Sequence, residues 1–254
     1  MRVIDFKGVD FSYGPQAKIL HKISFDVEKG EVLVILGGSG SGKSTILRLI
    51  MGLIDADRGE ILFNGEDIVQ AKSARLVELR HKMGMVFQEG ALFDSLTVGE
   101  NVGYYLIEHG MGDAKGMREV EKRVRETLRL VGLEHTLDMS PNELSGGMRR
   151  RVAAARTIIY SPDLILYDEP TTGLDPATCE NFCKVMLDIK KEKGVTSIMV
   201  SHNMEDAFTV GDKFLLLHEG RAVWFGPAKD LKRMGEDALL DFFRSGRVPA
   251  MNPG

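Results

Sequence analysis

Cysteine is nearly absent from this chain: only Cys179 and Cys183 occur. They stand four residues apart on a segment of helical pattern, which reads as a pair of small buried hydrophobes in preference to two legs of a metal site. Long apolar runs are missing too. The best candidates, VLVILGG and LILY, stop well short of the roughly 18 to 20 residues that span a bilayer, so the chain is expected to be soluble. The opening residues MRVIDFKGVDF lack a basic stretch followed by an apolar one, so no secretory signal is visible and a cytoplasmic location is expected. There is no surplus of positive charge. The net charge is -4, and Lys and Arg are scattered apart from Arg149, Arg150 and Arg151, which argues against nucleic acid as a partner. Internal repeats and low-complexity tracts are absent, and only the final VPAMNPG reads as a loose tail.

What is present suits a globular chain. With 254 residues, 43% hydrophobic and 28% charged, there is enough apolar material for one core and an attached subdomain. VIDFKGVDFSY alternates as a half-buried strand does, KISFDVEKGEVLVIL reads as two strands broken at Lys29 and Gly30, and EILFNGEDI reads as a hairpin turning at Asn64 and Gly65. An apolar strand then runs straight into GGSGSGKST, and STILRLIMGL continues with helical spacing. From about Ala91 to Tyr160 the pattern is mostly helical, with VEKRVRETLRLVGL amphipathic, which marks an inserted helical subdomain. LILYDEP and TSIMVSH flank the helical ENFCKVMLDIKKEKG, a β-α-β arrangement that feeds a parallel sheet. KFLLLHEGRAVWFG closes as a hairpin turned at Glu219 and Gly220.

The chemistry concentrates at strand ends. Gly37, Gly38, Ser39, Gly40, Ser41, Gly42, Lys43, Ser44 and Thr45 satisfy the phosphate-loop pattern GxxxxGK[ST]. Glycines let backbone N–H groups converge on phosphates, the following helix presents its positive end, and Lys43 reaches the β- and γ-phosphates. Ser44 supplies a hydroxyl to Mg²⁺. Four apolar residues precede Asp168 and Glu169, placing both acids at the exit of a buried strand. Asp168 is suited to hold Mg²⁺, and Glu169 to take a proton from attacking water. Gln88 and His202 each close a strand pattern, so a parallel sheet brings them toward the phosphate-loop edge. There Gln88 serves Mg²⁺ and the water, and His202 the γ-phosphate. Tyr13 fits core packing and stacking on adenine equally well. Asp175, before Pro176, reads on its own as a helix cap.

Taken in order, GGSGSGKST, Gln88, LSGG, LILYDEP, GLDP and Ser201-His202 resemble the ATP-binding cassette (ABC) family along essentially the whole chain. The resemblance implies an α/β fold, a P-loop NTPase (RecA-like) parallel-sheet core with an N-terminal antiparallel β subdomain and an inserted helical subdomain. It divides the chain into an ATPase domain over 1–235, with the helical subdomain at about 91–160, and a short extension over 236–254. It further implies that LSGG opens a helix whose Ser145, Gly146 and Gly147 cover the γ-phosphate held by a second copy, so that a homodimer closes on two ATP. Asp175 then lies across that interface, and Tyr13 gains weight as an adenine contact.

By the same resemblance the chain works with separate transmembrane permease subunits at the cytoplasmic face of the inner membrane. FQEGALFDSLTVGENV and DFFRSGRVP resemble the lipid-trafficking Mla-type subgroup. That implies phospholipid transport between membranes, an Mce-type lipid-binding partner and room for a small cytoplasmic regulator. An amino acid or other small-solute importer shares every nucleotide motif, and a soluble ABC ATPase without a permease is the alternative of another class. Met148 and Arg150 depart from the family pattern, which often has Gln at both. The arginine triplet is expected to pair with surface acids in preference to docking a regulator. Near the end, Ala238, Leu239, Phe242 and Phe243 fall on one helical face that either packs on its own domain or reaches a second subunit.

Overall fold

The computed structural model describes residues 1–14 and 18–235, together with Leu239, Asp241, Phe242 and Ser245; at Ala114 it describes the backbone alone. The chain forms two compact units, one of residues 1–81 and 196–254, the other of residues 82–195.

The first unit contains an antiparallel sheet of four strands, β1 (Arg2–Ser12), β2 (Lys18–Glu28), β4 (Arg58–Phe63) and β5 (Glu66–Asp67), in the order β2-β1-β4-β5. The alternation read from VIDFKGVDFSY puts Ile4 and Phe6 inside, and Phe6 stacks on its cross-strand partner Phe25 at 4.8 Å. A bulge then lets Val9 and Phe11 return to the core: the register shifts between Phe6 and Val9, where Gly8 takes φ +57°. The same unit holds β3 (Val32–Leu36), whose five residues are all buried. Its neighbours β8 (Thr196–Ser201) and β9 (Lys213–His218) run parallel to it on either side, and β10 (Arg221–Pro227) pairs antiparallel with β9. A strand covered on both faces carries no alternation, which is why VLVIL is continuously apolar. Helix α1 (Lys43–Ile50) follows β3 after the glycine loop, and α2 (Ser73–Arg80), α7 (Met204–Val210) and α8 (Ala228–Arg233) complete the unit. Leu239 and Phe242 are buried within this single chain, with the Phe242 ring 6.4 Å from His218; Ala238 and Phe243 lie outside the described residues.

The second unit pairs β6 (Met83–Val86) parallel with β7 (Leu164–Asp168) and surrounds them with helices. Helix α3 (Val98–Leu106) starts at a reciprocal cap in which Thr97 accepts from the Glu100 N–H and Glu100 from the Thr97 N–H. A π-helical turn over Ile107–Met111, opened by Gly110 at φ +102°, leads toward α4 (Ala114–Leu130). The α4 stripe of Val120, Val124 and Leu128 is buried while its charged residues face outward. Then come α5 (Gly146–Ile158) and α6 (Pro176–Lys193), whose Cys179 and Cys183 are buried as small hydrophobes.

Candidate functional site

In the first unit the parallel register sets Leu36 of β3 beside Ser201 of β8, so the chain leaves toward Gly37 and toward His202 from the same sheet edge. The loop that follows β3 is tightly built. A Cβ at Gly37 would lie 2.3 Å from the Leu217 carbonyl oxygen and 2.6 Å from Ser41 Oγ. Gly40 and Gly42 take φ +76° and +104°, and the Ser41 N–H donates to the Gly38 carbonyl. Gly38, Ser39 and Gly40 are exposed, whereas Ser41, Lys43 and Thr45 are buried and Ser44 is half-buried. The start of α1 has no side-chain cap, leaving its first N–H groups to an anion.

Lys43 is 5% exposed, and its ammonium arches over the loop to donate to the carbonyls of Gly37 (2.9 Å) and Gly38 (3.0 Å). Ser41 Oγ is buried with no hydrogen-bond partner among the described residues. An uncapped helix start, a buried ammonium and an orphaned hydroxyl fit a polyphosphate. Tyr13 is 55% exposed, its ring edge-on to Phe11 and its hydroxyl accepting from Arg48 of α1. Core packing therefore does not describe it: the ring is turned to solvent. His202 is exposed directly after β8, in a turn fixed by the Asn203 N–H donating to Ser201 Oγ and by Asn203 capping α7.

In the second unit, Val86 of β6 pairs with Tyr167 of β7, so Gln88 and the acids Asp168 and Glu169 leave that strand pair from one edge. Asp168 ends β7, and Glu169 follows at φ +47°, a left-handed backbone rare for a residue with a side chain and typical of a functional constraint. Thr172 donates through Oγ1 to Glu169 Oε2 (3.1 Å) and through its N–H to the Glu169 carbonyl. Ser145 caps α5 by accepting from the Met148 N–H, so LSGG does open a helix, with Gly146 and Gly147 in its first turn. Gly147 faces α6 so closely that a Cβ would lie 2.2 Å from Thr178 Cγ2. Asp175 accepts from the Thr178 hydroxyl (2.6 Å) and N–H (3.1 Å). These bonds hold its carboxyl below the usual value and fulfil the cap reading. Thr178 thus joins Gly147 and Asp175, a role that no local pattern announces.

The arginine triplet does not pair with surface acids as its charge suggests. Among the described residues none of the three is hydrogen-bonded to an acid: Arg149 donates to the Leu144 carbonyl, Arg150 to those of Gln88 and Thr172, and Arg151 to that of Val131. Burial pushes the pKa of Arg150 and of Arg151 down. Carbonyls at loop and helix ends, unfilled by any secondary-structure bond, out-compete distant surface carboxylates because the guanidinium fork reaches them from inside the fold.

Residues 20–172 match the family described as ABC transporter. The chain is 39% identical over 254 residues to the intermembrane phospholipid transport system ATP-binding protein MlaF of Escherichia coli strain K12, covering 99% of this chain and 93% of MlaF. It is 37% identical over 245 residues to the probable ribonucleotide transport ATP-binding protein mkl of Mycobacterium leprae, covering 96% of this chain and 70% of that protein. The dimeric structure of the bacterial ABC transporter cassette MJ0796 superposes with a TM-score of 0.79 at 33% identity, covering 89% of this chain and 98% of that one. Among the described residues no helix is long and apolar enough to cross a membrane. With a phosphate loop of this geometry, an acid pair at a strand exit and a serine-capped glycine helix start, the chain belongs to the ABC transporter family and is one of its ATPases.

Proposed function

We propose that this chain is the energising subunit of a phospholipid transporter, moving lipid between membranes through a separate permease. The observation that carries this reading is the match to MlaF over nearly the full length of both chains. In this reading the backbone of Gly37 to Ser41 and the Lys43 ammonium bind the β- and γ-phosphates, and Tyr13 stacks on adenine. Ser44, Asp168 and Gln88 offer a hydroxyl, a carboxylate and an amide oxygen, the hard donors that suit Mg²⁺. Held by these residues, Mg²⁺ would supply charge neutralisation to the bound phosphates. Glu169 takes the proton of the attacking water, Gln88 orients that water, and His202 steadies the γ-phosphate. Ser145, Gly146 and Gly147 of a second copy close over the bound ATP, and Asp175 lies at that dimer interface.

In this reading residues 1–235 form the ATPase domain, about 91–160 the helical subdomain that meets the permease, and 236–254 an extension. It sets the dimer peripherally at the cytoplasmic face of the inner membrane, with an Mce-type lipid-binding protein as partner and a small regulator docking on the helical subdomain. Nucleotide transport is the second reading, favoured by the name of the mkl relative, but less of that relative's length is matched.

The experiment uses Glu169→Gln, which is expected to retain ATP binding and to lose about 10² to 10⁴ in turnover. Loaded with ATP, it is used to capture partners from detergent-solubilised native membranes, with bound lipid assayed alongside. A polytopic permease arriving with an Mce-type protein and phospholipid supports the proposal. A permease for amino acids or nucleotides, or ribosomal proteins without a permease, overturns it. Full turnover by the variant removes Glu169 as the base.

A further inference from the structure

Arg150 lies one turn into the LSGG helix and is only 8% exposed. Its guanidinium spans two loops of the second unit: Nε donates to the Gln88 carbonyl at 2.5 Å and Nη2 to the Thr172 carbonyl at 2.6 Å. Nη1 is buried with no partner among the described residues. Enclosing a charge with no carboxylate hydrogen-bonded to it among the described residues is costly, and two main-chain carbonyls do not require a cation to satisfy them. A planar fork with separate Nε and Nη donors is well suited to hold two acceptors on separate segments in a fixed relation.

The segments it joins are those that carry the chemistry. Gln88 is the residue proposed to orient the water. Thr172 is bonded through its hydroxyl and its N–H to Glu169, the proposed base. The path therefore runs Gln88 carbonyl, Arg150, Thr172, Glu169, without a gap longer than 3.2 Å. Farther along the same loop, Arg156 donates to the carbonyls of Gly90 and Ala91, and the Gly90 N–H closes a turn on the Phe87 carbonyl; Arg150 ties the Gln88 end of that turn to the Thr172 loop. Glu89, next to it, lines an open cleft of about 570 Å³ shared with Arg149, Arg150 and Gly173, which gives an untethered loop space to shift.

We propose that Arg150 is a positioning residue for hydrolysis, a strut that sets the Gln88 main chain against the loop holding Glu169. In this role it acts through the Gln88 and Thr172 main chain and not on the nucleotide. The inference rests on the assignment of Glu169 as base and Gln88 as water contact.

The test measures ATP turnover, ATP affinity and melting temperature of the full-length chain as wild type, Arg150→Gln, Arg150→Lys, Thr172→Val and the Arg150→Gln/Thr172→Val double variant. Misplacing a water-orienting group is expected to lower kcat by about 10- to 100-fold in Arg150→Gln, with Kd for ATP within about twofold of wild type. Arg150→Lys recovers only part of kcat, because one ammonium does not span both carbonyls. The double variant is expected to be no worse than Arg150→Gln by more than about twofold, since both changes cut one path. Unchanged kcat in a folded Arg150→Gln protein overturns the strut, as does an equal loss of ATP affinity or losses that multiply in the double variant. If Arg150→Gln does not fold, Arg150→Lys decides by the same split between kcat and Kd. Glu169→Gln, run in parallel, separates the two claims: turnover by that variant removes the base assignment, whereas its loss beside an unaffected Arg150→Gln removes the strut alone.

Discussion

Gly37 shows how narrowly a single position is constrained. The atom that an added methyl would meet at 2.3 Å is the carbonyl oxygen of Leu217, and the β3–β9 pairing fixes that main chain. Nothing flexible is there to yield. Gly37→Ala is therefore expected to cost about 1 to 3 kcal/mol through overpacking, a fall in Tm of about 2 to 4 °C for each kcal/mol at this chain length. Gly38 has open space where its Cβ would stand, so Gly38→Ala should melt within about 2 °C of wild type. Thermal denaturation followed by circular dichroism checks the pair, and equal melting of the two variants would contradict the argument. The phosphate loop was legible in the sequence because all its parts are neighbours along the chain. Arg149, Arg150 and Arg151 were legible only as charge, because the carbonyls they meet come from residues up to 62 positions away. No local pattern states which carbonyls a helix will face.

Elements owe their boundaries to similarly local signals. The breaks at Lys29 and Gly30, Asn64 and Gly65, and Glu219 and Gly220 appear as the ends of β2, β4 and β9, and Asn64, Gly65, Glu219 and Gly220 take the positive φ that such turns require. The π-helical turn at Ile107–Met111 was not legible, since LIEHG continues a helical pattern until Gly110 departs from it. The pairing of β1 with β2 carries a pH dependence of its own. Asp10 is buried, accepts from the Lys18 ammonium at 2.8 Å and from the Lys22 N–H at 2.9 Å, and its carboxyl is held below the usual 3.8, first by the bond from Lys18. A carboxylate whose folded pKa is depressed adds stability that is fully present above its unfolded pKa. That stability is lost as pH falls through the folded value. Asp10→Asn is expected to lower Tm by about 2 to 4 °C at pH 7. The gap between variant and wild type should begin to close as pH drops below about 4 and vanish once the native carboxyl is protonated. Melting curves at pH 7, 4 and 3 test this; a gap that stays constant with pH would show that shape rather than charge holds the strand pair.

At the scale of the whole molecule, one chain carries two helix starts that the proposed function uses as anion cradles: the uncapped start of α1 after the phosphate loop, and the Ser145-capped start of α5, where Ser145 is exposed and Gly146 half-buried. If the second cradle serves ATP held by another copy, then nucleotide binding and association separate cleanly in a variant altered only at α5. Ser145→Trp places a bulky ring where the partner's phosphates would approach, and leaves Lys43 and its loop untouched. In the background of Glu169→Gln, which keeps ATP intact, light scattering is expected to show monomer without nucleotide and dimer with ATP. Adding Ser145→Trp is expected to leave the monomer with an ATP affinity within about twofold of its parent, yet to abolish the dimer; the same change made with Glu169 intact is expected to reduce steady-state turnover to the background of the monomer. Each closed dimer would then hold two ATP, as a twofold axis requires, and titration should give one nucleotide per chain. If Ser145→Trp lowers ATP affinity in the monomer as much as it lowers association, the α5 cradle acts within its own chain and the shared site is wrong.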